Sequence, residues 1–565
     1  MGRAAPIPLI ALIVGATLAL SAPGLLRGGL VVTQHEGDLL HLLQILMLMQ
    51  EGQWPHLDFR TPVGLFAFLP LHWTLALGRA LGFEWGLGQA LIVAQLGLGL
   101  LLAPVIWWVA RSRLVGWAAV AAALVPVIWL TALIHGGTNA GVSVSMHYNR
   151  WAWAVALLAV VTAVLPPRAA GGAGMRAAGI IDAAVIGIGF AILGLTKATF
   201  AVTLAPAVIV ALVLRGRGRV LAGALVAGLL FCAGVALFMG AAFWPAYVGD
   251  LLWVAGMPVR PFPDQPLGAV IGGPAFIPGT FLLLGAVVVL RLRARPALAW
   301  PVLLLAPSFV YITYQNFGND PKWLILLALL LAPLLSRQGD APAPDLVQPS
   351  ARPLVAGLVL AAAVLGAGSL FNMARSVLAN GFAGPAETRP IFAAEHMGRD
   401  LLSDPLRLAR LDIALAGEEA PAAMVPLLPP FADDAEGRPN TTTFLGRPLP
   451  TCGLDKGMIA HQRGLAEVTA KAIGPGGGRV FVTDLFSALW VFGGSSPVTP
   501  LAPWNYGALT GIDSAGFVAV PLCPVNPPVR KRLLEELEAG AEAGRWELTP
   551  VPAGPGLWLY AIAPG

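Results

Sequence analysis

Arg215-Gly-Arg217-Gly-Arg219 is followed at once by Val220-LAGALVAGLLFCAGVALF-Met239, twenty residues without one charge. At 1.5 Å per residue such a run spans the roughly 30 Å hydrocarbon core of a bilayer as a helix. The basic cluster in front of it is the usual mark of a cytoplasmic loop. The same alternation recurs along the chain. Apolar runs of this kind repeat from Pro6 to about Phe371, separated by Arg111/Arg113, Arg168/Arg176, Arg215/Arg217/Arg219, Arg291/Arg293/Arg295 and Arg337/Arg352. The runs do not alternate polar with apolar, which excludes a β-barrel.

Composition agrees. Of 565 residues, 57% are hydrophobic and only 12% charged, and the mean hydropathy is +0.75. A soluble protein carries about twice that charged fraction. The formal charge of +5 comes from arginines that set topology, so nucleic acid is not an expected partner and a lipid bilayer is. The run from about Ile7 to Leu26 is longer than a signal-peptide core and more spans follow, so it reads as the first membrane helix.

These features predict a polytopic α-helical membrane protein with eleven to thirteen spans over residues 1–372, followed by a soluble α/β domain over 373–565. Placing each arginine cluster inside puts the outer loops at 27–60, 135–150, 243–267 and about 315–322, with an outer turn near Lys197. It also delivers the tail outside, so the expected location is the bacterial inner membrane with an extracytoplasmic C-terminal domain. Between loop 27–60 and Arg111 the charge rule needs an odd number of crossings, yet two apolar segments occur, about 61–80 and 87–110. One of them is then re-entrant or interfacial.

In the tail, Arg479–Leu485 and Gly516–Val520 read as strands, Pro528–Ala539 as an amphipathic helix and Leu557–Ala563 as a final strand. The GPGGG at 474–478 is not followed by a helical pattern and reads as a loop. Three cysteines without a CxxC exclude a zinc or redox motif. Cys232 lies in an apolar run. Cys452 and Cys523 both fall in the tail and can pair if it is extracytoplasmic.

Chemistry concentrates in the first outer loop, residues 31–60: Thr33-Gln-His35-Glu36-Gly-Asp38-Leu-Leu-His41-Leu-Leu-Gln44, then Gln50-Glu-Gly52-Gln-Trp-Pro55-His56-Leu-Asp58-Phe-Arg60-Thr-Pro62. Asp38, His41 and Gln44 recur every third residue, a polar stripe on an otherwise apolar helix. A carboxylate facing lipid is costly, so the stripe is expected to face a pocket or water, with the helix along the membrane surface.

This loop resembles the first extracytoplasmic loop of the GT-C glycosyltransferase superfamily, which includes the protein mannosyltransferases and the lipid A aminoarabinose transferases. Members carry an acidic motif after the first span, a surface helix, a glycine and a Pro-Tyr-x-Asp-Phe-like turn. Here Asp38 precedes Gly52 by fourteen residues, and Pro55-His56-Leu57-Asp58-Phe59 matches the turn with His in place of Tyr. The Asp-Glu pair of the family is replaced by His35-Glu36-Gly37-Asp38, so either Asp38 or Glu36 holds the catalytic place. The resemblance implies a polyprenyl-phosphate-linked sugar as donor, a hydroxyl of a glycan, lipid or protein as acceptor, and inversion at the anomeric carbon.

Such a reaction needs a carboxylate to take the acceptor proton and cations to steady the departing phosphate. Asp38 and Glu36 are the carboxylates. Lys197 and Lys322 are the only lysines before the tail, and ionisable groups at membrane depth are functional candidates. Asn319 and Asp320 beside Lys322, His147 and Arg150 before Trp151, and Asp58, Arg60 and His41 in the first loop complete the expected substrate contacts. Asp58 reads equally as the residue that fixes the turn before Pro62. No cofactor motif is present. The one candidate cofactor is a divalent cation on His35, His41, His56 and the neighbouring acids, although a six-residue spacing suits two helical ligands poorly, so no metal ligand is assigned. Two other classes compete. A transporter or flippase should show polar breaks near the bilayer midplane in paired halves, and none is visible. A non-catalytic envelope assembly factor is compatible with the altered acidic motif.

Overall fold

The structure is a computed structural model describing residues 8–137, 141–144, 146–168, 173–257, 276–292, 295–315, 321–335, 352–384, 388–415, 442–474 and 477–565. Asn319, Asp320, Arg293 and Arg337 lie outside the described residues.

Helices run in chain order as α1 (Leu9–Arg27), α2 (Glu36–Gln50), α3 (Leu69–Ala80), α4 (Leu87–Arg113), α5 (Gly116–Thr131), α6 (His147–Val164) and α7 (Ala173–Thr196). They continue as α8 (Ala198–Leu214), α9 (Gly218–Met239), α10 (Phe243–Gly256), α11 (Phe276–Leu292), α12 (Pro296–Tyr314), α13 (Trp323–Leu331) and α14 (Arg352–Gly381). The chain divides into two compact units. One holds Met1–Leu30, Val63–Ala241 and Phe262–Ala383; the other holds Val31–Pro62, Ala242–Pro261 and Gly384–Gly565.

The first unit is helical. Six helices among the described residues are long and apolar enough to cross a membrane: α1, α4, the Arg176–Thr196 part of α7, α9, α12 and α14. Four shorter apolar helices, α5, α8, α11 and the α13 region, accompany them. The uncharged run Val220–Met239 forms most of α9, and it leaves large apolar side chains outside: Leu237 is 89% exposed and Leu229 70%. A stripe of that kind is tolerable in lipid and not in water. Helix α14 continues to Gly381, nine residues beyond the expected end of the last span.

The parity conflict finds a physical answer. Helix α3 has twelve residues, about 18 Å of helix, too short to cross alone. Helix α4 has 27 and is long enough. Of the two segments, 61–80 is the one whose helix is too short to cross alone.

A buried ionic clasp ties this unit together. The Asp182 carboxylate on α7 accepts from Arg113 on α4 and from Arg217 before α9, each at 2.5 Å, and from the Trp108 indole at 3.1 Å. The Asp182 and Arg113 side chains are both fully buried. Desolvated charges of this kind persist only when paired.

The second unit contains the α/β tail. Its central sheet is built from β1 (Val480–Val482), β2 (Phe517–Pro521), β3 (Trp546–Val551) and β4 (Leu557–Pro564), in the order β3-β4-β2-β1. Strands β1 and β2 are parallel and the other pairs antiparallel. Two helices belong to it, α15 (Met458–Ile473) and α16 (Pro527–Glu542). The apolar side of α15 and the sheet share one core, with Leu465, Ala466, Val480, Val482, Leu489, Ala519, Leu557 and Leu559 buried in it. The Asn526 side chain caps α16 by accepting from Val529 N–H at 3.0 Å, and Pro527 and Pro528 occupy the first turn, where no N–H is needed. All three expected strands and the expected helix form. Cys452 and Cys523 form a disulfide that encloses α15, β1 and β2.

Candidate functional site

Helix α2 carries the acidic motif. His35 precedes it in the left-handed region, φ 57° and ψ 49°, and turns the chain into the helix. Glu36 and Asp38 fall in the first turn, where carboxylates are favoured by the helix dipole. Between them Gly37 lies directly under the Phe486 ring; a Cβ there would collide with it. The acidic pair is thus interrupted by a residue that the tail requires to be small.

Glu36 accepts a hydrogen bond from Arg407 Nε in an ion pair, with its side chain 13% exposed. That pair borders a cavity of about 640 Å³, lined among others by His35, Arg410, Asp455 and Lys456. Asp38 is half-buried.

The rest of the stripe turns inward. His41 stacks on Trp504, with ring centroids 3.6 Å apart and planes 13° apart. Gln44 Oε1 accepts from the Trp490 indole at 3.0 Å. Both are buried, as is every residue from Leu39 to Leu46. The sequence pattern placed the helix along the membrane surface with its stripe facing a pocket or water. The structure buries the helix, with Trp504 and Trp490 of the tail packed against the polar stripe.

The Pro55–Phe59 turn is closed by its own residues. Asp58 accepts from Trp54 N–H at 2.7 Å and is exposed, which is the turn-fixing arrangement. His56 N–H donates to Phe59 O at 2.9 Å. The Arg60 guanidinium lies 5.1 Å from the Trp253 ring, and its backbone N–H donates to Leu501 O at 2.9 Å. Helix α10, which the sequence suggested was loop, supplies the partners. Asp250 accepts from His56 Nδ1 at 2.8 Å and from Thr61 N–H at 3.2 Å. Asp250, Tyr247 and Trp253 were not singled out in the sequence. The signal available was an aspartate in a segment of tryptophan and tyrosine placed between membrane runs.

In the helical unit, Lys197 stands between α7 and α8 with an extended backbone, φ −154° and ψ 104°, so it breaks what would be one helix. Its Nζ lies 5.6 Å from the Tyr148 ring centroid. Tyr148 is on the first turn of α6 with His147 and Arg150. His147 Nε2 donates to Ala67 O at 2.8 Å, and Arg150 is fully buried. Lys322 is 2% exposed and donates to His135 O at 2.6 Å. Lys197, His147 and Arg150 therefore gather around the start of α6, while Lys322 is held by the 132–137 segment.

No group of three or more His, Cys, Asp or Glu side chains able to hold a metal occurs among the described residues. His41 and His56 are engaged separately, by Trp504 and Asp250.

No protein-family model matches the chain, and no curated protein matches it significantly. Two solved structures are similar to it along nearly the whole length. One is the crystal structure of ArnT from Cupriavidus metallidurans in the apo state, with 14% identity, 98% of this chain and 97% of that chain covered, and a TM-score of 0.42. The other is ArnT from the same organism bound to undecaprenyl phosphate, with 14% identity, 99% and 98% coverage, and a TM-score of 0.36. ArnT is an aminoarabinose transferase of the GT-C family.

Proposed function

We propose that the chain is a multi-pass membrane glycosyltransferase of the GT-C type. It moves a sugar from a polyprenyl-phosphate donor to an acceptor hydroxyl at the extracytoplasmic face, with inversion. The observation that carries the reading is the start of α2. Two carboxylates, Glu36 and Asp38, occupy the first turn of an otherwise apolar helix, and Glu36 is held in an ion pair with Arg407. The base is assigned to Asp38, which stands fourteen residues before Gly52, and the positioning of the α2 start to Glu36.

The remaining roles follow from chemistry. Lys197, His147 and Arg150 at the α6 start, and Lys322 with Asn319 and Asp320, bind donor phosphate and sugar. Cations at these places stabilise the leaving phosphate as charge develops on it. Arg60, Asp58 and His41 shape the first loop around the substrate. The acceptor proton passes to Asp38 as the hydroxyl oxygen attacks the anomeric carbon, and the bond to the phosphate oxygen breaks on the opposite side.

The Cys452–Cys523 disulfide supports an extracytoplasmic tail, because such bonds persist in oxidising compartments. The short α3 supports the same orientation through the crossing count. The test is mass spectrometry of envelope glycans and lipid-linked intermediates in a deletion strain. Accumulation of a prenyl-phosphate sugar, reversed by the wild-type gene and not by Asp38→Asn, is the expected result. An unchanged lipid-linked pool contradicts transfer. Assembly restored by Asp38→Asn points to a scaffold.

A further inference from the structure

His56 is the one place where this chain departs from the family-like turn by exchanging a phenol for an imidazole. Its surroundings are unusual for a turn residue. It is 6% exposed. Its backbone lies at φ 71°, a left-handed conformation that a non-glycine residue adopts at some energetic cost and that recurs at ligand sites. Nδ1 is 2.8 Å from Asp250 Oδ2. A carboxylate at that place accepts the Nδ1 hydrogen, and in the neutral ring Nε2 then keeps its lone pair. Nε2 is buried and has no hydrogen-bond partner. The walls are aromatic: the imidazole meets Tyr247 edge-to-face at 4.7 Å and Phe243 at 5.8 Å.

A structural tether needs only the Nδ1 contact. Leaving the second nitrogen buried and unpaired is unfavourable by the desolvation of a polar atom, which a water or a ligand donor would offset. The partner's chemistry is constrained. A lone pair backed by the Asp250 carboxylate repels phosphate and carboxylate and attracts a hydrogen-bond donor.

We propose that His56 Nε2 accepts a hydroxyl hydrogen from a sugar ring, and that Asp250 holds the tautomer that makes it an acceptor. The sugar class rests on the glycosyl-transfer reading; the orphaned acceptor does not. His56 is a substrate-contacting residue and Asp250 a positioning residue.

The test uses the full chain labelled with ¹⁵N-histidine, in a detergent without a sugar headgroup. Of the eight histidines, His56 is assigned by its loss in His56→Phe. The expected spectrum shows an unprotonated Nε2. Methyl glycosides of glucose, mannose, galactose and arabinose serve as probes, with inorganic phosphate as contrast. At least one glycoside should shift the Nε2 resonance, and phosphate should not. Asp250→Asn keeps the shape and a hydrogen bond, but its amide can donate to Nδ1 and turn Nε2 into a donor. It should abolish the glycoside shift and slow product formation about tenfold in the complemented strain, with an unchanged unfolding temperature. An Nε2 that carries hydrogen in the wild type, or a resonance that no glycoside moves, overturns the proposal. If Asp38→Asn abolishes the product while the glycosides leave His56 unmoved, this site fails and transfer stands. If Asp38→Asn has no effect while a glycoside still moves His56, transfer fails and the sugar site stands.

Discussion

Replacing both Cys452 and Cys523 by alanine should lower the stability of the tail by a worked amount. The two residues are 71 apart in sequence. Cross-linking a loop of that length removes about 15 cal/mol/K of chain entropy from the unfolded state, or about 4 kcal/mol at 25 °C. Alanine suits the site because Cys452 is 1% exposed, and a serine hydroxyl would add a desolvation term of its own. The enclosed loop holds α15, β1 and β2, which supply much of the sheet core, so the constraint acts on the part that must form for the tail to fold. For a domain of 150 to 250 residues, 4 kcal/mol corresponds to about 8 to 16 °C in unfolding temperature. Tail tryptophan fluorescence of the full chain in detergent, with and without reductant, measures it. The wild type should fall to the variant's midpoint on reduction, and the variant should not respond to reductant. Equal midpoints for all four samples, or two free thiols in protein taken from the native envelope, would refute the constraint and remove a support for the extracytoplasmic tail.

The clasp in the helical unit predicts that Asp182→Asn destabilises by about 3 to 5 kcal/mol, since it strands the buried Arg113; thermal unfolding in detergent reads this, and a loss under about 1 kcal/mol would mean water or lipid already compensates the charge. Two buried tail groups should oppose each other in pH dependence. Burial pushes the Asp484 carboxyl up to about 6 against three backbone N–H bonds, so its contribution is present below the unfolded carboxylate pKa and is lost as pH rises through 6, by about 3 kcal/mol. Burial lowers His461 to about 4, so its contribution is present above pH 6.5 and is lost as pH falls toward 4. Unfolding scans from pH 4 to 7 should therefore be nearly flat for the wild type. They should turn acid-sensitive for Asp484→Asn and acid-stabilised for His461→Gln, and parallel curves for all three would contradict these assignments. Gly37→Ala should cost about 1 to 3 kcal/mol by forcing the Phe486 ring off its place, checked by the same unfolding assay; a neutral result would show that the ring moves freely.

What the sequence conveys well is local. The uncharged run Val220–Met239 specifies a membrane helix, because that signal depends on neighbouring residues. The tail strands near Val480, Phe517 and Leu557 were readable for the same reason, and so was Pro528–Ala539. Helix α15 went unread, since its start is a left-handed Gly457 with no side-chain cap. Helix α10 resembled loop because Pro245, Gly249 and Asp250 interrupt its apolar pattern. The environment of the first loop depends on partners far away in sequence. His41 and Gln44 find Trp504 and Trp490, more than 440 residues on, and His56 finds Asp250, 194 residues on. Periodicity indicated a polar stripe on α2; only the fold reveals that indoles fill it. The sequence offers Asp38 first and Glu36 as the alternative base, and the Arg407 partner of Glu36, 371 residues away, is legible only in the fold; the separation of their roles is the proposal.

That separation is where the account is most exposed to test. Asp38→Asn and Glu36→Gln, each returned to the deletion strain with expression verified, should be compared by mass spectrometry for the rate of product formation and the lipid-linked sugar pool. The account predicts that Asp38→Asn slows transfer about 10²- to 10⁴-fold with donor accumulating, while Glu36→Gln retains substantial transfer. Near-normal transfer by Asp38→Asn with loss in Glu36→Gln would move the base two residues toward the N-terminus, and normal transfer by both would contradict glycosyl transfer itself.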